Sequence, residues 1–195
     1  MPSKSLLPRG FKAEAERLSE KYRTELGISK FDPLDALHLA EHLKVPIFSV
    51  NEIFGDNCSH PHYSTMSDTN KFSAMWMPNS EGVKIILHNT NHSKYRQQSN
   101  LMHELAHIIS GHEVPIETAI LCAQLNLHYF NKQQEQEAKY LGGCLQITRP
   151  GLLWTLKNDY THQMISDYYC ASLEMVKYRI GITGVERQRY FQRGG

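Results

Sequence analysis

The sequence predicts an α+β fold that is mostly helical and contains one small sheet of three strands. Apolar residues recur every three or four positions in several segments, as amphipathic helices require. Three shorter apolar runs have the length of strands and are flanked by turn residues. These runs are 45–50, 72–77 and 83–88. With 195 residues, the chain is long enough for one domain with a small extension.

Two helices are predicted before the first strand. The first covers 11–26, where aromatic and aliphatic residues fall on one face, and it ends at Gly27. The second covers 31–43, where Asp32 can cap the first turn and Pro33 suits the first helical position. The amino-terminal part of the chain is therefore expected to be helical.

The three predicted strands differ in their expected places in the sheet. Pro46 lies in the first strand, 45–50, and a proline favours the edge of a sheet or the start of a strand. The turn residues 78–82 join the other two strands and predict a hairpin. If the strand 83–88 lies at an edge, it can bind an extended peptide as an added strand.

Helices are also predicted for most of the second half of the chain. A long helical pattern covers 93–110 and ends at Gly111, and another covers 133–147. The segment 112–131 between them is ambiguous and only hints at a helix. The segment 150–190 is predicted to form short helices that end at glycines. These glycines are Gly181 and Gly184.

The composition predicts a globular cytoplasmic protein. There are 21 Lys and Arg against 20 Asp and Glu, which argues against a general nucleic-acid coat and against a polybasic membrane binder. No apolar run approaches the roughly 20 residues that span a bilayer, and residues 1–10 lack the apolar stretch of a secretory signal. The four cysteines form no CxxC pair, so we expect reduced thiols.

The residues His103-Glu-Leu-Ala-His107 form an HExxH motif in the middle of the long helix. Histidines four positions apart on a helix lie one above the other, so both imidazoles can bind one metal ion. Glu104 flanks this pair, where it can act as the base for a metal-bound water. The opposite face of the helix is apolar and can pack against the protein. The motif predicts a zinc site with His103 and His107 as ligands and Glu104 as the catalytic residue.

A second motif, His38-Leu-Ala-Glu-His42, has the reversed spacing HxxEH. The predicted helix begins barely one turn before His38, and its apolar residues occupy the other arc. We therefore interpret the motif as an exposed amphipathic face. Replacement of His42 is expected to leave the zinc content unchanged.

A catalytic zinc ion needs a third protein ligand besides the two histidines. The helix predicted over 133–147 carries Glu135 on the same face as small residues that allow another helix to approach closely. Glu137 lies about 200° around the helix from Glu135. His112 lies just past the end of the HExxH helix. We expect Glu135 to complete the site for one zinc ion, with Glu137 and His112 as the alternatives.

Several segments resemble the ImmA/IrrE family of zinc metallopeptidases, and together they cover most of the chain. The specific part of the resemblance lies around the HExxH motif and in the Glu-x-Glu-Ala helix that follows it. The amino-terminal helices match more weakly. The segments are Gly10–Arg17, Pro33–Leu43, Arg96–His112, and Glu135–Leu145 with Arg149.

The resemblance implies a zincin-like fold in which the small sheet packs on the HExxH helix. It also implies an intracellular zinc endopeptidase that cleaves a specific protein, such as a repressor or another transcription regulator. We hypothesise that Glu104 takes a proton from a water bound to zinc and passes it to the leaving amine. The candidates for stabilising the oxyanion are His112, Tyr129 and Tyr140.

The carboxyl-terminal segment carries the main alternative. We predict a metallopeptidase domain over 1–160 and a helical extension over 161–195. Residues 164–180 resemble a degenerate helix-turn-helix in which Ser172 caps the second helix. From Val176 onward the chain has five Lys and Arg and one acidic residue, which gives this segment a net charge of +4. DNA binding is therefore an alternative, although the apolar residues favour a docked helical pair. A third hypothesis is a protein-binding module that keeps zinc without proteolysis.

Overall fold

A computed structural model describes residues 6–55, 68, 72–113 and 131–188. They form a mostly helical α+β structure with one three-stranded sheet, which confirms the predicted fold class. The helices are α1 (Phe11–Glu25), α2 (Ala36–His42), α3 (Val50–Phe54), α4 (Lys94–Ile109), α5 (Lys132–Gln146), α6 (Arg149–Lys157), α7 (His162–Tyr169) and α8 (Leu173–Thr183). The strands are β1 (Ile47–Ser49), β2 (Ala74–Pro78) and β3 (Lys84–His88). Most of the ambiguous segment 112–131 lies outside these residues.

The sheet has the strand order β1-β3-β2, so β3 is the central strand. The predicted hairpin is present as β2 and β3, which pair antiparallel with Trp76 opposite Ile86. β1 pairs with the other side of β3 in parallel and lies at an edge, as the proline that directly precedes it, Pro46, predicts. The expectation that the strand 83–88 could lie at an edge is wrong, because β1 occupies the side that the hairpin leaves open. The edge strand of the hairpin is β2.

Two predicted helix boundaries are wrong. The second helix begins at Ala36 and is capped by Asp35, not by Asp32, because the Asp35 carboxylate accepts hydrogen bonds from two backbone N–H groups of the first turn. The last helix continues through Gly181 and ends at Gly184, whose φ of 64° lies in the left-handed region that glycine adopts easily. Within the described ranges, no helix combines the length and hydropathy needed to cross a bilayer.

The main hydrophobic core lies between α4, α5, the sheet and the two amino-terminal helices. α4 and α5 pack antiparallel, since Ser99 Oγ donates to the Gln146 side chain at 2.9 Å while Gly142 lies against the backbone of His103. A side chain at Gly142 would place its Cβ 2.9 Å from the Met102 carbonyl oxygen. Glycine therefore permits a close approach of the two helices directly beside the HExxH motif.

A second hydrophobic cluster holds α6, α7 and α8 together. Its members have almost no exposed area and come from both sides of position 160. They include Ile147, Leu152, Ile165 and Val176. The boundary between 1–160 and 161–195 stays a prediction, although the helices on either side of it share this cluster.

A buried polar network joins the second cluster to the main core. The fully buried guanidinium of Arg179 donates to a Glu16 carboxylate oxygen at 2.7 Å and to the Ile147 carbonyl at 2.9 Å. Arg23, also buried, donates to the hydroxyl of Ser19 at 2.8 Å. Buried charges are tolerated when they are paired and hydrogen-bonded, so this network fixes α8 against α1 and the end of α5.

Candidate metal centre

The two histidines of the HExxH motif face the same space from successive turns of α4. The Nε2 atoms of His103 and His107 lie 3.2 Å apart, and their rings meet at a steep angle of 83°. The apolar face of the same helix, including Leu101 and Leu105, is buried in the main core. Burial of that face fixes the rotation of α4, and the rotation presents both imidazoles on the opposite side.

Glu135 of α5 completes this group. One carboxylate oxygen lies 3.1 Å from His103 Nε2 and the other lies 3.3 Å from His107 Nε2. In the described part of the chain, His103, His107 and Glu135 form the one cluster of three or more possible metal-binding side chains. Ligand atoms about 2.0–2.1 Å from one tetrahedral ion lie roughly 3.3 Å from each other, so the observed separations fit zinc.

The two alternative ligands, Glu137 and His112, lie next to this group and contact each other. His112 Nε2 is 2.9 Å from Glu137 Oε2, and His112 Nδ1 is 2.8 Å from His107 Nδ1. His112 therefore reaches the nitrogen of His107 that points away from Glu135. The structure brings Glu135, and not Glu137, to both imidazoles of the motif.

Glu104 lies beside the proposed ligands and contacts the sheet. Its Oε2 accepts a hydrogen bond from the backbone N–H of Trp76 in β2 at 3.0 Å. Burial raises the pKa of Glu104 to about 7, although the neighbouring His103 and the bond from Trp76 oppose the rise. A carboxylate with a pKa near neutrality can both accept and release a proton. The contact with Trp76 is a feature that the sequence pattern did not reveal.

The proposed ligands shift one another's protonation equilibria. The adjoining imidazoles of His103 and His107 hold the pKa of Glu135 far below its ordinary value. At His103, burial acts to lower the pKa, but the contact with Glu135 and the charge of Glu104 outweigh burial. The net result is a raised pKa for His103. Burial dominates at His107 and lowers its pKa. A neutral imidazole and an ionised carboxylate are the forms in which His107 and Glu135 can bind a metal ion.

The candidates for the oxyanion contact have different positions. Tyr140 is buried in the main core, where its ring packs against Phe11 and under the Arg179 guanidinium. His112 is engaged with His107 and Glu137 through both ring nitrogens. Tyr129 lies outside the described residues. Tyr140 is therefore buried away from solvent, and both ring nitrogens of His112 already have partners.

A cavity of about 880 Å³ opens beside His103 and Glu135. Residues of α4 and α5 and residues of α7 and α8 line it. The wall residues include Gln163, Leu173, Met175 and Tyr178. From the sequence, α7 and α8 are assigned to a carboxyl-terminal extension. No sequence pattern predicts that they line a cleft next to the candidate metal centre.

The reversed motif on α2 has a different environment. His38, Glu41 and His42 are exposed, as expected for an amphipathic face. His42 Nε2 lies 2.9 Å from a carboxylate oxygen of Glu25 on α1. These side chains are not part of the group that could hold a metal ion.

Comparison with known proteins identifies one family. The model of a peptidase family described as the IrrE N-terminal-like domain (Peptidase_M78) matches residues 64–181. The matched range is more than half of the chain and includes every residue described above for the metal centre. No curated protein matches the chain closely enough to count as a relative.

Proposed function

The chain belongs to the IrrE N-terminal-like domain family of peptidases, and from this premise we propose that it is a zinc-dependent endopeptidase. The observation that carries the proposal is the convergence of His103 Nε2, His107 Nε2 and the Glu135 carboxylate at mutual distances of 3.1–3.3 Å. Two histidines and one carboxylate are a known ligand set of catalytic zinc, with a further position left for water or substrate.

In this proposal, zinc supplies Lewis-acid chemistry by polarising a water molecule and the scissile carbonyl. Glu104 accepts a proton from the attacking water and then donates it to the nitrogen of the leaving amine. Burial of Glu104 favours this second step, because burial stabilises the neutral carboxyl relative to the carboxylate. The Trp76 N–H orients the carboxylate through its hydrogen bond.

The substrate is proposed to be an extended segment of an intracellular regulatory protein, such as a repressor. β2, rather than β3, is the strand whose outer edge faces the centre. The Ile86 N–H donates to the carbonyl of Pro46, just before β1, and therefore points away from β2. The backbone N–H of Trp76, opposite Ile86, accordingly points away from β3 and reaches Glu104. An added peptide strand along this edge would pass directly over the proposed base.

The alternative of DNA binding through 164–195 is weaker than its charge count indicates. Arg179 is one of the five basic residues counted there, but it is fully buried and paired with Glu16. A buried guanidinium cannot contact a phosphate. We therefore retain a cytoplasmic peptidase as the proposal and treat a zinc-binding module without proteolysis as its competitor.

The test compares the wild-type protein with Glu104→Gln in an extract of cells that encode it. New protein N-termini are measured by mass spectrometry, with and without a chelator. We expect chelator-sensitive cleavage by the wild type, and a loss of at least about 100-fold in Glu104→Gln at unchanged zinc content. Glu20→Gln, the same change at an exposed position on α1, is the control. Cleavage retained by Glu104→Gln would refute its role as base, and cleavage by neither protein would favour the binding module.

A further inference from the structure

Two residues outside the ligand set, His112 and Glu137, continue the hydrogen bonding of His107 away from the metal centre. The links are His107 Nδ1 to His112 Nδ1 at 2.8 Å and His112 Nε2 to Glu137 Oε2 at 2.9 Å. We propose that this relay (His107, His112 and Glu137) holds His107 in the tautomer that can bind a metal ion through Nε2. The inference rests on the metal centre of the proposed function.

The direction of the relay follows from what each group can donate. An ionised carboxylate only accepts, so the proton of neutral His112 must lie on Nε2, facing Glu137. His112 Nδ1 is then an acceptor, and the donor in the second link must be His107 Nδ1. A neutral imidazole with its proton on Nδ1 has a lone pair on Nε2. That lone pair faces the Glu135 carboxylate and His103, where the metal ion would bind.

The reverse direction would prevent ligation. If His107 Nδ1 accepted the bond, the proton of the neutral ring would lie on Nε2 and block the metal position. When His112 is neutral, Glu137 prevents this arrangement, because the carboxylate can only accept and so draws the single imidazole proton of His112 to Nε2. Its second oxygen is also occupied, since Gln133 Nε2 donates to Oε1 at 2.8 Å. The acceptor at the end of the relay is therefore fixed in place from α5.

Burial makes the relay effective. His112 is only 5% exposed, and the side chain of Glu137 is 12% exposed. Water therefore has little access to the nitrogen atoms and cannot easily replace either link. The end of α4 also positions the ring, because the His112 N–H donates to the His107 carbonyl at 3.0 Å immediately after Gly111. The relay therefore adds a link between the end of α4 and α5 through His112 and Glu137, neither of which belongs to the proposed ligand set.

The test is zinc affinity, measured by competition with a chromophoric chelator at constant pH. Loss of an outer hydrogen-bond partner of a ligand histidine weakens metal binding by about 10- to 100-fold. We expect a decrease in this range for His112→Leu and a smaller decrease for Glu137→Gln, whose amide oxygen can still accept. His38→Leu, the same substitution at an exposed histidine, should retain the wild-type affinity. If His112→Leu does not fold, the zinc affinity of the isosteric Glu137→Gln variant tests the relay instead.

Cobalt substitution separates positioning from direct ligation. The saturated cobalt forms of the wild type and His112→Leu should have the same visible absorption, because the ligand set is unchanged. A changed spectrum would show that His112 is itself a ligand and would overturn the relay. Zinc affinity within twofold of the wild type in both variants would overturn it as well. Failure of the wild type to bind zinc would instead contradict the proposed function, before any variant is compared.

Discussion

At the residue scale, the turn that ends α4 also places His112. The Gly111 N–H donates to the Ile108 carbonyl at 3.1 Å, and the His112 N–H donates to the His107 carbonyl at 3.0 Å. Together these bonds form a Schellman motif, in which the glycine adopts a left-handed conformation, here with φ 66°. The turn returns the chain towards the helix, so that the imidazole of His112 lies against that of His107.

Gly111→Ala tests this turn, with Gly184→Ala as its matched control. The two glycines have φ values of 66° and 64°, and an added Cβ would meet no atom within 4 Å at either position. Both substitutions should therefore lower the free energy of unfolding by about 1–2 kcal/mol, measured by urea titration. Only Gly111→Ala should also weaken zinc binding, because only that turn holds His112. Equal zinc affinities in the two variants would contradict this assignment.

At the scale of elements, the packing of α4 on α5 determines the geometry of the metal centre. His103 and His107 come from one helix and Glu135 from the other, so the interhelical distance sets the separation of the three proposed ligands. Gly142 keeps this distance short, since α5 approaches the backbone of α4 at Met102 and His103. A small residue on α5, two turns from Glu135 and in contact with the backbone of His103, therefore affects the candidate site.

Gly142→Ala is expected to damage both stability and metal binding. The added Cβ would meet backbone atoms that cannot move aside, and overpacking of this kind lowers the free energy of unfolding by about 1–3 kcal/mol. Zinc affinity should fall because Glu135 moves away from the histidines. Gly181→Ala is the control, since an added Cβ meets nothing there and the helical residue should raise stability by about 0.5–1 kcal/mol. Chemical denaturation and chelator competition give the two readouts.

At the scale of the whole molecule, polar groups join the two hydrophobic clusters. The fully buried Arg179 on α8 donates to Glu16 on α1 and to the carbonyl of Ile147 after α5. Its Nη1 also lies 3.2 Å from Cys144 Sγ, and burial raises the pKa of that thiol far above its ordinary value. The carboxyl-terminal helices are thereby attached to the core that carries the metal centre.

Arg179→Met should strongly destabilise the protein. The change removes the donor to the Ile147 carbonyl and the cationic partner of the partly exposed Glu16 carboxylate, so the free energy of unfolding should fall by roughly 1–3 kcal/mol. Lys177→Met, on the exposed side of the same helix, should have little effect. A double variant with Glu16→Leu should recover part of the loss, because no charge then remains unpaired. If Arg179→Met unfolds at the same urea concentration as Lys177→Met, the network does not join the clusters as argued.

Zinc should stabilise the entire fold, because the ligands come from two helices that separate on unfolding. At free zinc 100-fold above the dissociation constant, the expected gain is about 2.7 kcal/mol. Thermal unfolding with zinc and with excess chelator measures this gain. Glu135→Gln should reduce it sharply, whereas Glu20→Gln should retain it. A chelator that leaves the unfolding temperature of the wild type unchanged would argue against the centre.

Local sequence patterns predicted the longer helices, the hairpin and the chemistry of the candidate ligands, but they did not predict the short helix α3. Periodicity predicted α1, α4 and α5 almost to their ends, because each has one face that must be buried. The spacing of the HExxH motif and the helical position of Glu135 pointed to the residues that the structure brings together. These are local properties, since side chains three or four positions apart share a helix face wherever the helix lies.

The strand order and the packing of the helices, in contrast, depend on contacts that form only in the tertiary structure. The order of the strands, and therefore the edge formed by β2, depends on hydrogen bonds between segments distant in the chain. The packing of separate helices brings Glu137 against His112. It also places α7 and α8 along the cleft. Local patterns specify which face of an element is buried, whereas the choice of its neighbour depends on the shape and polarity of surfaces assembled from the whole chain.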